Sequence, residues 1–291
     1  MSVAMTPVST IVGNGMTIST ENPPASRLVP VHERRAGREL VLETVFRPLA
    51  SALVPLLLRA SVPPPAVVLA NAAAGLCSAV ALARGELVLA ALLLQVKTLL
   101  DNADGQLARA SGRVTLAGRY LDTEADLVVN AALFVSLAHV TGQPWLALVG
   151  FLSLTLVLAV DFNVSKLYRE VRSQAKRPPA SSGGRGESLL GWVYRVLFSP
   201  QDRVVRLFFA RRLERMFAGK PSDEAVILAY NDRITVTVLA NLGLSTQLAV
   251  LGVCLLLDAP AVYLWLTLGS FALLPLLQLR REHIARRALE R

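Results

Sequence analysis

Four aspartates lie within the stretch 101–126, between the end of one apolar segment and the beginning of the next. Asp101 and Asp104 are three positions apart, so on a helix both side chains would lie on one face. Asp122 and Asp126 are four positions apart and would share a face in the same way. Two facing helices would therefore direct four carboxylates at one point, and such a cluster requires either protonation or bound cations.

The ligand types in this stretch narrow the choice of cation. The stretch contains neither His nor Cys, and carboxylate oxygens alone select hard cations such as Mg2+, Mn2+ or Ca2+. We expect two such ions, because a pair of metal ions suits displacement at phosphorus. The predicted metal ligands are Asp101, Asp104, Asp122 and Asp126.

The residues between the aspartates suit a phosphate ligand. Arg109 follows Asp104 by a little more than one helical turn and offers a planar guanidinium group to phosphate oxygens. Gly105 and Gly118 have no side chain and Ala108 has a small one, so a bulky ligand could approach the backbone. Close packing of helices explains these small residues equally well, but it does not explain the acids together with the arginine.

The composition indicates an integral membrane protein. Of the 291 residues, 53% are hydrophobic and only 18% are charged. Several apolar segments approach the roughly 20 residues that a membrane-spanning helix requires. The net charge of +9 comes from basic residues that lie between or beside those segments. Anionic membrane lipids explain this charge better than nucleic acid does, so we expect no nucleic acid partner.

The pattern predicts an all-α, polytopic membrane protein with six transmembrane helices and an N-terminal amphipathic helix in the membrane interface. The predicted segments are a disordered tail at 1–37, the interfacial helix at 38–60, transmembrane helices 1–4 with the acidic motif at 61–172, a cytoplasmic basic insertion at 173–222, and transmembrane helices 5–6 with a basic C-terminus at 223–291.

Some of these segments have alternatives. The segment 38–60 could instead be a first membrane span, and the second part of the insertion could be a soluble helical hairpin rather than a membrane-surface element. The fifth helix is predicted to open near Ser222 and to pass Asn231 and Asp232 into the apolar stretch 234–257.

Basic residues also predict the orientation. One set of connections includes both termini, the link around Arg113 and the long insertion, and it is rich in arginine. The opposite set of connections contains one basic residue, Arg84. By the positive-inside rule, both termini and the acidic motif face the cytoplasm.

The whole stretch matches, without a gap, the pattern D-x2-D-G-x2-A-R-x8-G-x3-D-x3-D. This pattern resembles the signature of the CDP-alcohol phosphotransferases, and the layout of one interfacial helix and six spans is similar too. The resemblance implies that a hydroxyl group of an alcohol acceptor attacks the β-phosphorus of a CDP-linked donor and that CMP leaves. In bacterial-type members the donor is CDP-diacylglycerol, which implies phospholipid biosynthesis at the bacterial cell membrane.

The resemblance further implies a role for each residue of the motif. Asp101, Asp104 and Asp122 would bind Mg2+ or Mn2+, and Asp126 would both contact the metal site and act as the general base. The residues implied to hold the CDP moiety are Gly105, Ala108, Arg109, Thr115 and Gly118. One departure concerns the donor contacts before the first span, where family members often have a Pro-Asn-x-x-Thr-like element. Here Pro64, Pro65 and Val68 occupy that place.

The acceptor is an alcohol or a phosphorylated alcohol, and its identity stays open between phosphatidylglycerophosphate synthase and phosphatidylinositol-phosphate synthase activities. Lys166, Arg169 and Arg233 lie near the predicted cytoplasmic ends of spans four and five and could bind the phosphate of the acceptor. Anchoring of these cationic side chains at the membrane interface is an equally good explanation. The sequence also leaves open whether the protein forms a homodimer.

Two other functions remain compatible with the acidic motif. A membrane cation transporter or channel could use the aspartates as an ion site, although it would not need Arg109 or the two glycines. An inactive relative of the family could bind CDP-diacylglycerol without turnover.

Overall fold

The computed structural model describes residues 37–172, 199–217 and 224–290. Within these ranges the chain forms helices and no strand, which confirms the all-α prediction. Of the predicted tail, only Gly37 is among the described residues. Residues 173–198 and 218–222 of the predicted insertion, and residue 223 of the next segment, lie outside the described residues.

The helices follow one another through short connections. A π-helical turn at Leu42–Phe46 leads directly into the first α-helix. The α-helices are α1 (Arg47–Arg59), α2 (Pro64–Ala83), α3 (Leu87–Ala110), α4 (Leu116–Thr141), α5 (Pro144–Arg172), α6 (Ser199–Phe217), α7 (Glu224–Tyr230), α8 (Arg233–Ala240), α9 (Leu244–Leu256) and α10 (Pro260–Leu289).

Five segments of the described chain are long and apolar enough to cross a membrane. They are Pro64–Ala83, Ala117–Thr141, Pro144–Arg172, Ala225–Leu256 and Pro260–Leu289. The remaining predicted span, in α3, is a helix of 24 residues, but Lys97, Asp101 and Asp104 interrupt its apolar character. Large apolar side chains on the outside of the bundle, such as Val135 (70% exposed) and Leu152 (57% exposed), suit contact with lipid.

The core joins α2, α3, α4, α5, α9 and α10 through buried aliphatic side chains, including Leu82, Leu94, Leu137 and Leu251. Short hydroxyl side chains add contacts between the backbones of neighbouring helices. Ser78 Oγ on α2 donates to the Ala90 carbonyl on α3 over 2.8 Å. Such contacts let the helices approach closely and suit packing within a membrane.

The segment predicted as an interfacial helix is helical over 42–59, and its location at the membrane interface stays a prediction. It packs across the end of the bundle that contains the aspartates, because Val54 is buried with Leu107 of α3. Ser51 Oγ also donates to Gln106 Oε1 over 2.9 Å. Helix α1 therefore supports the part of α3 that carries the acidic motif.

The prediction of one uninterrupted fifth helix is wrong, because the chain breaks twice between Glu224 and Leu256. At the first break, Asp232 accepts hydrogen bonds from the amides of Ile234 and Thr235 and thereby caps α8. Arg172 of α5 donates to the Asn231 carbonyl over 2.6 Å and satisfies an acceptor that the break leaves free. Ser222 and Asp223 lie outside the described residues.

The second break ties the N-terminal segment to the bundle. The Asn241 side chain accepts from the Leu40 amide over 2.9 Å and donates to the Arg38 carbonyl over 2.7 Å. Gly37 packs so closely on α8 that an added Cβ would lie 2.6 Å from the Val236 carbonyl oxygen. The broken helix therefore gives the N-terminal segment its attachment point.

Part of the predicted insertion forms helix α6, which packs against the bundle. Val205 and Phe209 are buried with Val164 of α5 and Val236 of α8. Arg206 Nε donates to Asn163 Oδ1 of α5 over 3.0 Å. Whether the insertion also contacts a membrane surface stays a prediction.

We predict that Gly75→Ala destabilises the contact between α2 and α4. An added Cβ at Gly75 would collide with the Val129 side chain, and overpacking of this kind costs about 1–3 kcal/mol. Thermal unfolding in detergent should show a lower midpoint for this variant, and Val129→Ala in the same chain should restore part of the loss.

Gly269→Ala is the matched control, since no atom lies within 4 Å of a Cβ added there. An equal loss of stability in both glycine variants would contradict the packing argument.

Candidate metal and nucleotide site

A tight turn brings the two halves of the acidic motif together. Gly112 adopts φ +66°, a left-handed conformation that glycine reaches without strain, and the chain reverses between α3 and α4. Thr115 then caps α4 by accepting a hydrogen bond from the Gly118 amide over 3.0 Å. The last turns of α3 and the first turns of α4 therefore lie at the same end of the bundle, where both helices pack against α2.

Three of the four predicted ligands meet at one point. Asp101, Asp122 and Asp126 can each offer a carboxylate oxygen such that these oxygens all lie within 4.8 Å of one another. Asp104 follows Asp101 by about one turn of α3 and is only 6% exposed. The carboxylates thus converge from α3 and α4, as the helical spacing predicts.

Two carboxylate oxygens of this group lack a protein partner. Asp104 Oδ2 and Asp122 Oδ1 are buried, and neither makes a hydrogen bond to the described part of the chain. Buried polar atoms are nearly always satisfied, so this pair of anionic oxygens is suited to bind a cation. An all-oxygen site of this kind fits Mg2+ or Mn2+.

Sequence reasoning missed Lys97, which lies within the acidic group. Its ammonium is fully buried and lies 2.6 Å from Asp126 Oδ1 and 3.8 Å from Asp101 Oδ1. Asn71 of α2 donates to the same Asp101 oxygen over 3.1 Å. The signal available in the sequence was a lysine one helical turn before Asp101, inside an otherwise apolar segment.

A small cavity of about 90 Å³ opens beside the carboxylates. Its lining combines the turn, the first turn of α4 and the start of α2, and it includes Asp104 and Asp122. Pro64, Pro65 and Val68 also line it, so the residues that depart from the expected family element lie at the cavity all the same. The cavity therefore adjoins the two carboxylates whose oxygens have no protein partner.

Gly105 and Gly118 line this cavity and do not serve as contact points between helices. A Cβ at Gly105 would meet only the Arg109 guanidinium, and a Cβ at Gly118 would meet only the Thr115 hydroxyl oxygen. Gly75, by contrast, contacts a neighbouring helix directly. Close helix packing therefore does not explain the two motif glycines, whereas access to the cavity does.

Several cationic and small groups surround the cavity. Ala108 and Thr115 are part of its lining, and Arg109 lies beside Gly105. Arg113 and Arg119 also line the cavity, although the sequence pattern gave them only an orienting role. The amides at the start of α4 lie at the same place, and a helix N-terminus favours phosphate.

The three predicted acceptor residues lie at the end of the bundle where α5 ends and α8 begins. Lys166 Nζ lies 4.0 Å from Glu170 Oε1, and Arg233 is exposed at the first residue of α8. Arg169 is in the last turn of α5. Because α4 and α5 are joined by a two-residue turn, this end of α5 and the acidic start of α4 face the same side of the bundle.

The comparisons with known proteins add a family match. Residues 61–199 match the family model described as CDP-alcohol phosphatidyltransferase, a segment that contains α2 to α5 and the entire acidic motif. No curated protein and no solved structure matches the chain.

We predict that Asp122→Asn weakens Mn2+ binding by about tenfold or more, because it removes one of the converging carboxylates. Isothermal titration of the purified protein in detergent measures this change.

Glu170→Gln, which changes an exposed carboxylate of α5 outside the converging group, should leave the affinity unchanged. Equal weakening in both variants would indicate a general charge effect and not a coordinated ion.

Proposed function

Since this chain carries a CDP-alcohol phosphatidyltransferase domain over residues 61–199, we propose that it transfers a phosphatidyl group from CDP-diacylglycerol to an alcohol, with release of CMP. The observation that carries this proposal is a group of carboxylates with unpartnered oxygens beside a cavity lined by glycine and arginine. The product belongs to phospholipid biosynthesis.

The cavity supplies a place for the donor's diphosphate. Gly105 and Gly118 leave the backbone accessible there, and the start of α4 offers amides to phosphate oxygens. Arg113 and Arg119 add positive charge to the lining, and the Arg109 guanidinium lies beside Gly105. Together with Ala108 and Thr115, these residues form the proposed binding site for the CDP moiety.

The carboxylates would hold the divalent cation on which this family typically depends. Asp101, Asp104 and Asp122 are the proposed ligands of Mg2+ or Mn2+, and Asp126 lies beside them. When bound, the metal offsets negative charge on the diphosphate and on the departing CMP. Asp126 takes the proton of the acceptor hydroxyl as the hydroxyl oxygen attacks the β-phosphorus.

The proposed acceptor is a small alcohol that carries a phosphate group, such as glycerol phosphate or inositol phosphate. Lys166, Arg169 and Arg233 would bind that phosphate, since they occupy the same end of the bundle as the aspartates. The enzyme would then be a phosphatidylglycerophosphate or phosphatidylinositol-phosphate synthase.

The five long apolar segments fit a membrane protein. We propose that it lies in a bacterial cell membrane, with both termini and the active site on the cytoplasmic side, where polar substrates arrive and anionic lipids attract its arginines. A homodimer is compatible with this arrangement.

Purified protein in detergent should release CMP from CDP-diacylglycerol when Mg2+ and the correct acceptor are present. Asp126→Asn should reduce the rate by at least about a hundredfold, because the base is lost while the residue's size is kept. Omitting the acceptor is the control.

Lack of CMP release with every member of a broad acceptor panel would contradict the proposal. Cation flux through liposomes without any nucleotide would favour an ion transporter instead.

Arg233→Gln should raise KM for a phosphorylated acceptor about tenfold and leave KM for the donor unchanged, because one ionic contact to the acceptor phosphate is lost. Steady-state kinetics with each substrate varied in turn separates the two effects.

Arg84→Gln is the matched control, since Arg84 is an arginine at the opposite end of α2. An unchanged acceptor KM in Arg233→Gln would show that Arg233 serves only as an interface anchor.

A further inference from the structure

The carboxylate group is asymmetric, because the protein donates hydrogen bonds to some of its oxygens and not to others. On one side, Asp126 Oδ1 accepts from Lys97 over 2.6 Å and Asp101 Oδ1 accepts from Asn71 over 3.1 Å. On the other side, Asp104 Oδ2 and Asp122 Oδ1 have no partner in the described chain. Asp104 Oδ2 and Asp122 Oδ1 can therefore bind a cation without displacing a protein donor.

Lys97 cannot leave its position easily. Its side chain is fully buried, and the Asp126 carboxylate is the closest anion to its ammonium. A buried ammonium without a partner costs several kcal/mol, so this ion pair is not exchangeable in the way that a bound metal ion is. The cluster contains a permanent unit of positive charge that comes from the protein.

The ammonium also competes directly for metal ligands. Asp101, Asp122 and Asp126 form the group that could hold an ion, and Lys97 contacts two of its three members. A second divalent ion between Asp101 and Asp126 would lie next to the ammonium and be repelled by it. The expectation of two ions from the sequence took no account of this lysine.

We propose that Lys97 takes the place of the second metal ion, so that the centre binds one divalent cation, on the side of Asp104 and Asp122. This inference rests on the proposed function, because it assigns a role within the same site. Lys97 is a positioning residue: it fixes one oxygen of Asp126 and leaves the other oxygen for the acceptor hydroxyl.

The first experiment counts Mn2+ ions bound to the full-length wild-type protein in detergent, by electron paramagnetic resonance of free Mn2+ during a titration. We expect one Mn2+ per chain and no spectral broadening from a neighbouring Mn2+. Two tightly bound ions per chain would overturn the proposal, whatever any variant does.

Replacement of the Lys97 ammonium by a neutral side chain of similar length should change the number of Mn2+ ions bound per chain. Lys97→Met should bind a second Mn2+, whereas Lys97→Arg, which keeps the charge, should bind one. Lys166→Met is the control for loss of a lysine elsewhere and should also bind one. A Lys97→Met protein that folds and still binds one ion would overturn the proposal.

A second variant covers the case in which Lys97→Met does not fold because Asp126 loses its partner. The double variant Lys97→Met with Asp126→Asn removes both charges and should still bind one Mn2+ through the remaining carboxylates. Failure of the folded double variant to bind Mn2+ would make Asp126 an indispensable ligand and overturn the proposal.

Parallel assays of CMP release separate this inference from the proposed function. A wild-type protein that releases CMP and binds two ions contradicts the inference and leaves the function intact. A wild-type protein that neither binds Mn2+ nor releases CMP contradicts both.

Discussion

The burial of charge between α3 and α4 is the constraint on which the rest of this structure depends. Lys97 and Asp126 pair at 2.6 Å across the two helices, and Asn71 joins α2 to the same group through Asp101. Leaving one member of a buried pair without its partner costs about 3–5 kcal/mol, so this contact fixes the register of three helices at once. The small residues along α2 then let the helices approach closely enough for the pair to form.

The same constraint gives the site two different sides. On one side, Lys97 and Asn71 donate hydrogen bonds to Asp126 and Asp101, and on the other side Asp104 and Asp122 line the cavity. The proposed phosphoryl transfer would require both properties, because a fixed base must lie next to an exchangeable ion and an arriving diphosphate. The position of Lys97 would therefore let one group of four aspartates supply both the proposed base and the proposed metal ligands.

The outer elements support this end of the bundle. Helix α1 packs on the part of α3 that carries the motif, and α6 packs where α5 and α8 meet. At the first break in the segment Glu224–Leu256, Arg172 donates to the Asn231 carbonyl. At the second break, the Asn241 side chain bonds to the backbone of Arg38 and Leu40, so both breaks join distant parts of the chain. Irregular backbone is tolerated near a membrane where such partners satisfy it.

The sequence by itself determined the helical class, the membrane character and the convergence of the aspartates, because hydrophobic runs and three- or four-residue spacing are local properties of a helix. Only the tertiary structure decided that Gly105 and Gly118 face a cavity, that the fifth helix is broken at Asp232, and that Lys97 lies among the acids. Each of these features depends on what lies opposite in the folded chain. A glycine can face a neighbouring helix or open space, Arg172 satisfies the carbonyl at the break, and Asp126 pairs with the buried ammonium of Lys97.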